Sequence, residues 1–178
     1  MSEAPEHREG RLLFHGSRFD VVEMKQRTAE GKTVGKQVVR HPGAVVIVPL
    51  LEGDCVCLIR NERVSLGKTL VELPAGTLEP PEPPAEAAVR ELGEETGYAA
   101  RTWQQLPPFY TSPGICTEKM FVFVAEGLSE GKHAREEGEN IENFIVPWNE
   151  AIGMAERGEI EDGKTLCALL MWDRLRNR

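Results

Sequence analysis

The chain has 178 residues and a formal net charge of −8 at pH 7, enough length for one well-filled domain that buries roughly 70% of its unfolded surface. The acidic balance argues against an electrostatic grip on DNA, RNA or an anionic membrane. No apolar run approaches the ~20 residues that span a bilayer, and the opening MSEAPEHREG lacks the apolar core of a signal peptide, so a soluble, cytoplasmic protein is expected.

Residues 11–40 read as a small antiparallel unit: LLFHG, then RFDVVEMKQRTA with partial alternation, the turn EGKTVG, and KQVVR. Two or three strands do not stabilise themselves and need a partner surface, the rest of the domain or a second subunit. His41-Pro42-Gly43 then breaks the chain, setting an N-terminal β extension over 1–41 apart from a main domain over 42–178. AVVIVPLL (44–51) reads as a buried strand, turned by Glu52-Gly53-Asp54 into CVCLIR (55–60). TLVELP (69–74) is a shorter strand that leads into an acidic segment, leaving Ala75 and Gly76 in the turn at its mouth.

That segment, GTLEPPEPPAEAAVRELGEETGY, predicts a helix over 83–96, with proline in its first turn and Gly97 past its end. A period of 3.6 puts Ala85, Ala88, Val89, Leu92 and Thr96 on one face. Glu91 and Glu95 stand one turn apart, with Glu94 beside them and Glu82 just before the helix. Like charges at that spacing cost a few tenths of a kcal/mol each. A site for a hard divalent cation gives a reason to keep them, since magnesium takes carboxylate, water and phosphate oxygens; the alternative is a solvated acidic face relieved by Arg90 pairing with Glu86 or Glu94.

Beyond it, RTWQQLPPFYTSPG reads as a strand ending in a proline-rich turn, and KMFVFVAEGL (119–128) as a covered strand. The loop SEGKHAREEGEN is polar and glycine-flanked. IENFIVPW resumes extended structure, Asn149 is placed to cap the helix EAIGMAERG, and TLCALLMWDRLRN forms a closing helix with Leu166, Leu169, Leu170 and Leu175 among its apolar positions. The four cysteines follow neither a zinc spacing nor a disulfide framework and read as buried reduced thiols. Helices interleaved with a mixed sheet make an α/β layered domain.

Gly76, Glu82, Arg90-Glu91, Leu92, Glu94-Glu95, Gly97 and Tyr98 stand in the register of the Nudix signature, and on them the chain resembles the Nudix hydrolases. The resemblance implies an α/β/α sandwich around a mixed sheet, with the signature as a loop-helix-loop. It also implies hydrolysis of a nucleoside diphosphate linked to a further group. Glu91 and Glu95 are carried over as metal ligands, Glu94 as a third ligand or a polariser of water, and the Ala75 carbonyl as a backbone ligand. The metal implied is Mg2+, with Mn2+ as an alternative. Arg90 is expected to orient carboxylates, Glu82 to belong to the motif, and Gly76 and Gly97 to be conformational.

Three further stretches resemble the ADP-ribose pyrophosphatase branch. Pro113, with Gly114 in the tripeptide SPG, follows Tyr98 at that branch's usual distance, the plain alternative being a turn proline. LIRNERV resembles the segment whose arginine grips a substrate phosphate, which makes Arg63 the candidate. Asn61 and Glu62 stand where the branch more often has glutamine and an aromatic, which leaves a surface hairpin charge as the alternative. The loop EEGENIEN resembles the one that brings a general base over the metal, pointing to Glu139, with Glu137 as its neighbour. In that branch N-terminal strands commonly exchange between subunits, implying a homodimer, and aromatic residues there stack on adenine; Phe14 and Phe19 could do this or serve as core. The implied reaction is cleavage of ADP-ribose or a related nucleoside diphosphate sugar to a nucleoside monophosphate and a sugar phosphate. Other nucleoside diphosphate derivatives (a GDP-sugar, a dinucleotide, a coenzyme) and a non-catalytic nucleotide-sugar sensor are the alternatives.

Overall fold

The structure, a computed structural model, describes residues 10–131 and 140–178. Strands β1 (Arg11–His15), β2 (Asp20–Arg27) and β3 (Thr33–Arg40) form a separate antiparallel sheet in the order β1-β2-β3. Its hairpin closes earlier than the sequence suggests: Thr28 and Lys32 bond across the turn at 2.8 Å, and Thr33 to Gly35 of the expected turn already belong to β3.

The main sheet is mixed, in the order β10-β5-β4-β9-β8, with β6 paired to β5 and β7 to β4. Its strands are β4 (Ala44–Leu51), β5 (Cys55–Arg63), β6 (Lys68–Glu72), β7 (Ala75–Thr77), β8 (Tyr98–Tyr110), β9 (Lys119–Glu130) and β10 (Ile141–Pro147). Among the described strands of this sheet, β4 and β9 are the one parallel pair. Strand β4 is buried on both faces, which is why it reads as an unbroken apolar run. Val46 and Val48 point to one side, with Trp148, Ala151, Ala168 and Leu169; Val45 and Ile47 point to the other, with Ala87, Ala88 and Leu92. Helix α1 (Pro84–Thr96) thus covers one face, and α2 (Trp148–Glu156) and α3 (Gly163–Arg176) cover the other. This is the α/β/α sandwich with an N-terminal antiparallel extension. No helix among the described residues is long and apolar enough to cross a membrane.

Several local expectations are corrected. Ala75 and Gly76 do not form a turn but pair as β7 with Val46 and Val45. In α1 the buried set is Ala87, Ala88, Glu91, Leu92, Glu95 and Thr96, while Ala85 and Val89 are exposed. The face is rotated because the helix edge that carries the glutamates leans over β7. Asn149 does not cap α2: the helix starts at Trp148 directly after Pro147, the last ladder residue of β10, and the Trp148 amide donates to the Asp54 carbonyl. In α3 Leu169 is core and Leu166 packs beside it, whereas Leu170 and Leu175 face outward. Strand β8 shifts register between Leu106 and Phe109, where Pro107 and Pro108 offer no N–H to the ladder.

Candidate active site

Helix α1 presents its glutamates because both of its ends are fixed. Pro84 starts it, and Gly97 ends it in the left-handed region at φ 77°, its amide returning to the Gly93 carbonyl. The carboxylates of Glu91 and Glu95 are therefore held on the buried side, at 9% and 3% exposure, although burying a carboxylate is unfavourable without partners. Glu95 Oε2 accepts a 2.9 Å bond from the Ala75 amide. The carboxylate of Glu91 lies against Gly76: a Cβ there would fall 1.8 Å from Glu91 Oε1. Gly97 is conformational, as expected. Gly76 is not: it has no positive φ, and glycine is required there for clearance.

Arg90 organises the outer rim. Its Nε and Nη2 grip Glu82 at 2.9 and 3.0 Å, and Nη1 reaches Glu91 at 2.8 Å and Glu94 at 2.9 Å. The hydrogen bonds to Glu82, with the field of Glu91, raise the arginine's pKa, and the same guanidinium holds the Glu82 carboxyl below its ordinary range. The sequence alternative of a pair with Glu86 is not realised; the partners are Glu82, Glu91 and Glu94.

The cleft these carboxylates line, of about 1000 Å³, also holds cationic side chains. Arg63 lines it, bound through Nε and Nη2 to both oxygens of Glu72 at 2.7 and 2.5 Å. This bond, and the fields of Glu72, Glu95 and Asp162, keep Arg63 charged. Lys164 adds a second cation on Glu72 Oε2 at 2.5 Å. Glu72, Lys164 and Asp162 were not singled out from the sequence; the available signal was one glutamate inside the apolar strand TLVELP.

The structure brings Arg63, Ala75, Gly76, Arg90, Glu91, Glu94 and Glu95 into the lining of this one cleft. It does not bring Pro113 or Gly114 there. Both are exposed, in a loop stitched to β3 by the bonds Val39 N to Ile115 O at 2.8 Å and Thr117 N to Val39 O at 2.9 Å; the flanking Thr111 and Glu118 line the cleft instead. Glu137 and Glu139 lie outside the described residues. The chain on either side of them is anchored at the C-terminal end of α1, through Gly131 N to Gly97 O at 2.7 Å and Asn143 Nδ2 to Thr96 O at 2.8 Å.

The residues fit a hard divalent cation by chemistry. Glu91, Glu94 and Glu95 supply oxygen only, on a helix edge that crowds a bare backbone, which suits magnesium. Among the described residues no three acidic, histidine or cysteine side chains are already drawn into a cage, since Arg90 holds Glu91 and Glu94 and the Ala75 amide holds Glu95.

A mixed α/β/α sandwich with a loop-helix-loop of carboxylates over a cleft defines a pyrophosphohydrolase of the Nudix type. The family model of the NUDIX domain matches residues 40–169, and the chain belongs to the Nudix family. It is 37% identical over 159 residues to the ADP-ribose pyrophosphatase of Bacillus subtilis (strain 168), covering 88% of this chain and 86% of that one. It is 38% identical over 141 residues to a GDP-mannose pyrophosphatase of Citrobacter koseri, covering 73% and 72%. Among solved structures, an ADP compounds hydrolase superposes with a TM-score of 0.79 at 22% identity over 97% of this chain and 96% of that one, a likeness of fold. With these relatives the chain stands in the ADP-ribose pyrophosphatase-like branch of the family.

Proposed function

We propose that the protein hydrolyses the pyrophosphate of ADP-ribose, or of a related nucleoside diphosphate sugar, to AMP or another nucleoside monophosphate and a sugar phosphate, with Mg2+ as cofactor. The observation that carries this reading is the meeting of two kinds of group in one cleft: the buried carboxylates of Glu91 and Glu95 and the guanidinium of Arg63. A pyrophosphate needs both, since its oxygens demand positive charge while the attacking water must be brought up and deprotonated. Bound magnesium would neutralise phosphate charge and lower the pKa of water. Glu91, Glu95, Glu94 and the Ala75 carbonyl would hold it; Arg90 fixes the orientation of Glu91 and Glu94, and Arg63 orients a phosphate. Water oxygen bonds to phosphorus, the bridging P–O bond breaks with its electrons going to the leaving phosphate, and the water proton passes to a glutamate. Glu139 or Glu137, carried by a segment whose flanks meet the end of α1, is proposed for that proton.

The test is turnover of a panel of ADP-ribose, ADP- and GDP-sugars and dinucleotides with magnesium. The relative that is a GDP-mannose pyrophosphatase makes GDP-sugars the second reading, and the ratio of kcat/KM values decides between them. Metal catalysis contributes several kcal/mol, at about 1.4 kcal/mol per tenfold. Glu95→Gln, which keeps an oxygen for the Ala75 amide, is therefore expected to lower kcat on the order of 10³-fold without unfolding. Absence of turnover of any diphosphate sugar by the natural chain would leave a binding protein instead.

A homodimer through the N-terminal strands is part of the proposal. Leu12, Leu13 and Phe14 are exposed on that sheet and Phe19 in the turn after β1, Phe14 and Phe19 with rings 6.3 Å apart, and such a cluster is covered at low cost by a second copy. Light scattering of the full chain and of Leu13→Asp/Phe14→Asp checks it: a mass that is monomeric before substitution refutes it.

A further inference from the structure

Helix α3 begins at the cleft with its first turn locked in place. Asp162 caps it, accepting from the Thr165 amide at 3.0 Å and from Thr165 Oγ1 at 2.5 Å, while the same Thr165 Oγ1 accepts from the Leu73 amide at 2.8 Å. Thr165 is fully buried, so this junction ties the start of α3 to the residue beside Glu72. Lys164 is thereby set in a fixed place, with Nζ 2.5 Å from Glu72 Oε2 and 3.0 Å from Asp162 Oδ2. Glu72 is 1% exposed and both its oxygens are already satisfied by the fork of Arg63.

A single bidentate arginine suffices for a buried carboxylate; the second cation exceeds that need. Asp162 is engaged by the helix terminus, where the N–H groups carry partial positive charge. Arg63 Nη1 and the third N–H of Lys164 have no partner among the described residues, and both side chains line the cleft that Glu91 and Glu95 also line. We propose that Lys164 is a substrate-binding residue, which with Arg63 forms a two-cation clamp on a phosphate of the diphosphate substrate, its spacing set by the buried Glu72 as positioning residue. The clamp gives phosphate oxygens cationic donors in a cleft that is otherwise rich in carboxylates.

The proposal rests on the functional reading above, and its test separates the two. The probes are ADP-ribose turnover with magnesium, and calorimetric binding of a non-hydrolysable ADP-ribose analogue. Lys164→Met keeps the alkyl stem and removes the charge; loss of a charge-assisted hydrogen bond is expected to raise KM and the dissociation constant about tenfold or more, with kcat within about threefold. Lys164→Arg, which keeps the cation, is expected to recover most of the affinity. Lys68→Met, which removes the same charge from an exterior lysine paired with Glu161, is expected to leave both constants unchanged. A merely structural lysine would lower Tm and leave KM alone. If the natural chain binds the analogue and Lys164→Met binds it within twofold, the clamp is overturned and the function stands. If the natural chain neither binds nor cleaves any diphosphate sugar, the functional reading falls and the clamp with it.

Discussion

Replacing Gly76 by alanine probes the active site through one atom. The φ of Gly76 lies outside the left-handed region, so alanine adds no backbone strain, and the whole effect comes from the new methyl group. That group would sit 1.8 Å from Oε1, 1.9 Å from Cδ and 2.3 Å from Oε2 of Glu91, where real contacts stay beyond 3.0 Å. The Glu91 carboxylate must therefore withdraw by roughly 1 Å or more, breaking its 2.8 Å bond to Arg90 Nη1; a displacement of that size costs about 10²-fold in rate. Because Arg90 keeps Glu82 and Glu94, the stability loss is held to about 1–2 kcal/mol, near that of one charge-assisted hydrogen bond. The assay is kcat/KM for ADP-ribose with magnesium alongside a thermal melt. Both substitutions act through the same carboxylate, so Gly76→Ala combined with Glu91→Gln is expected to be no worse than Glu91→Gln alone. Activity within about threefold of the natural chain, or a double variant whose losses multiply, would refute the role of Gly76 as clearance for Glu91.

Arg90→Ala leaves three carboxylates without their shared cation and is expected to cost about 2 kcal/mol at neutral pH by chemical denaturation. Arg90 depresses the Glu82 pKa from 4.5, so that contribution is present above 4.5 and is lost as pH falls through the lower folded-state value; the gap between variant and natural chain should narrow only in acid. Of the four cysteines only Cys57 is buried, not all four as the sequence suggests. Burial pushes its thiol up to about 12 from 9.0: at about pH 8 iodoacetamide should label exposed Cys167 and spare Cys57. The same shift means that stability falls as pH rises from 9.0 towards about 12, where only the unfolded thiol ionises, and Cys57→Ala should flatten that part of the profile. Trp172 Nε1 is buried without a partner among the described residues, so Trp172→Phe is expected within about 1 kcal/mol of the natural chain. Trp148 donates to Asp173 at 2.8 Å, so Trp148→Phe should cost about 2 kcal/mol or more; equal costs would contradict the assignment.

The elements that were legible in the sequence are those set by their own residues. The strand β4 declares itself by an apolar run that only double-sided burial explains, and α1 by a proline at its start and a glycine that takes φ 77° at its end. The elements that were misread are those set by neighbours. Gly76 looks like a turn residue until β4 pairs with it; Val89 looks like core until the helix leans its glutamate edge over β7, and Ala87 takes the buried place. Pro147 hides the start of α2 because a proline at a strand end and one before a helix look alike in sequence.

The same division runs through the site. The acidic wall lies in one contiguous stretch, where fixed spacing on a helix puts Glu91 and Glu95 together whatever the rest of the chain does. The cationic wall has no such spacing, because Glu72 and Lys164 are 92 residues apart and meet only where α3 docks on the end of β6. Arg63 alone would have read as a hairpin charge. What turns it into part of a site is the buried carboxylate behind it, since a fully desolvated glutamate is costly unless cations hold it, and cations so held keep their remaining donors aimed in one direction. Both cations line the cleft, and so does Glu95, whose field Arg63 already feels. The cleft therefore offers arginine and lysine donors beside oxygen ligands for a hard cation, a combination that suits an anionic ligand carrying a divalent metal. A diphosphate carrying magnesium has that double character, and a neutral sugar or a free base does not.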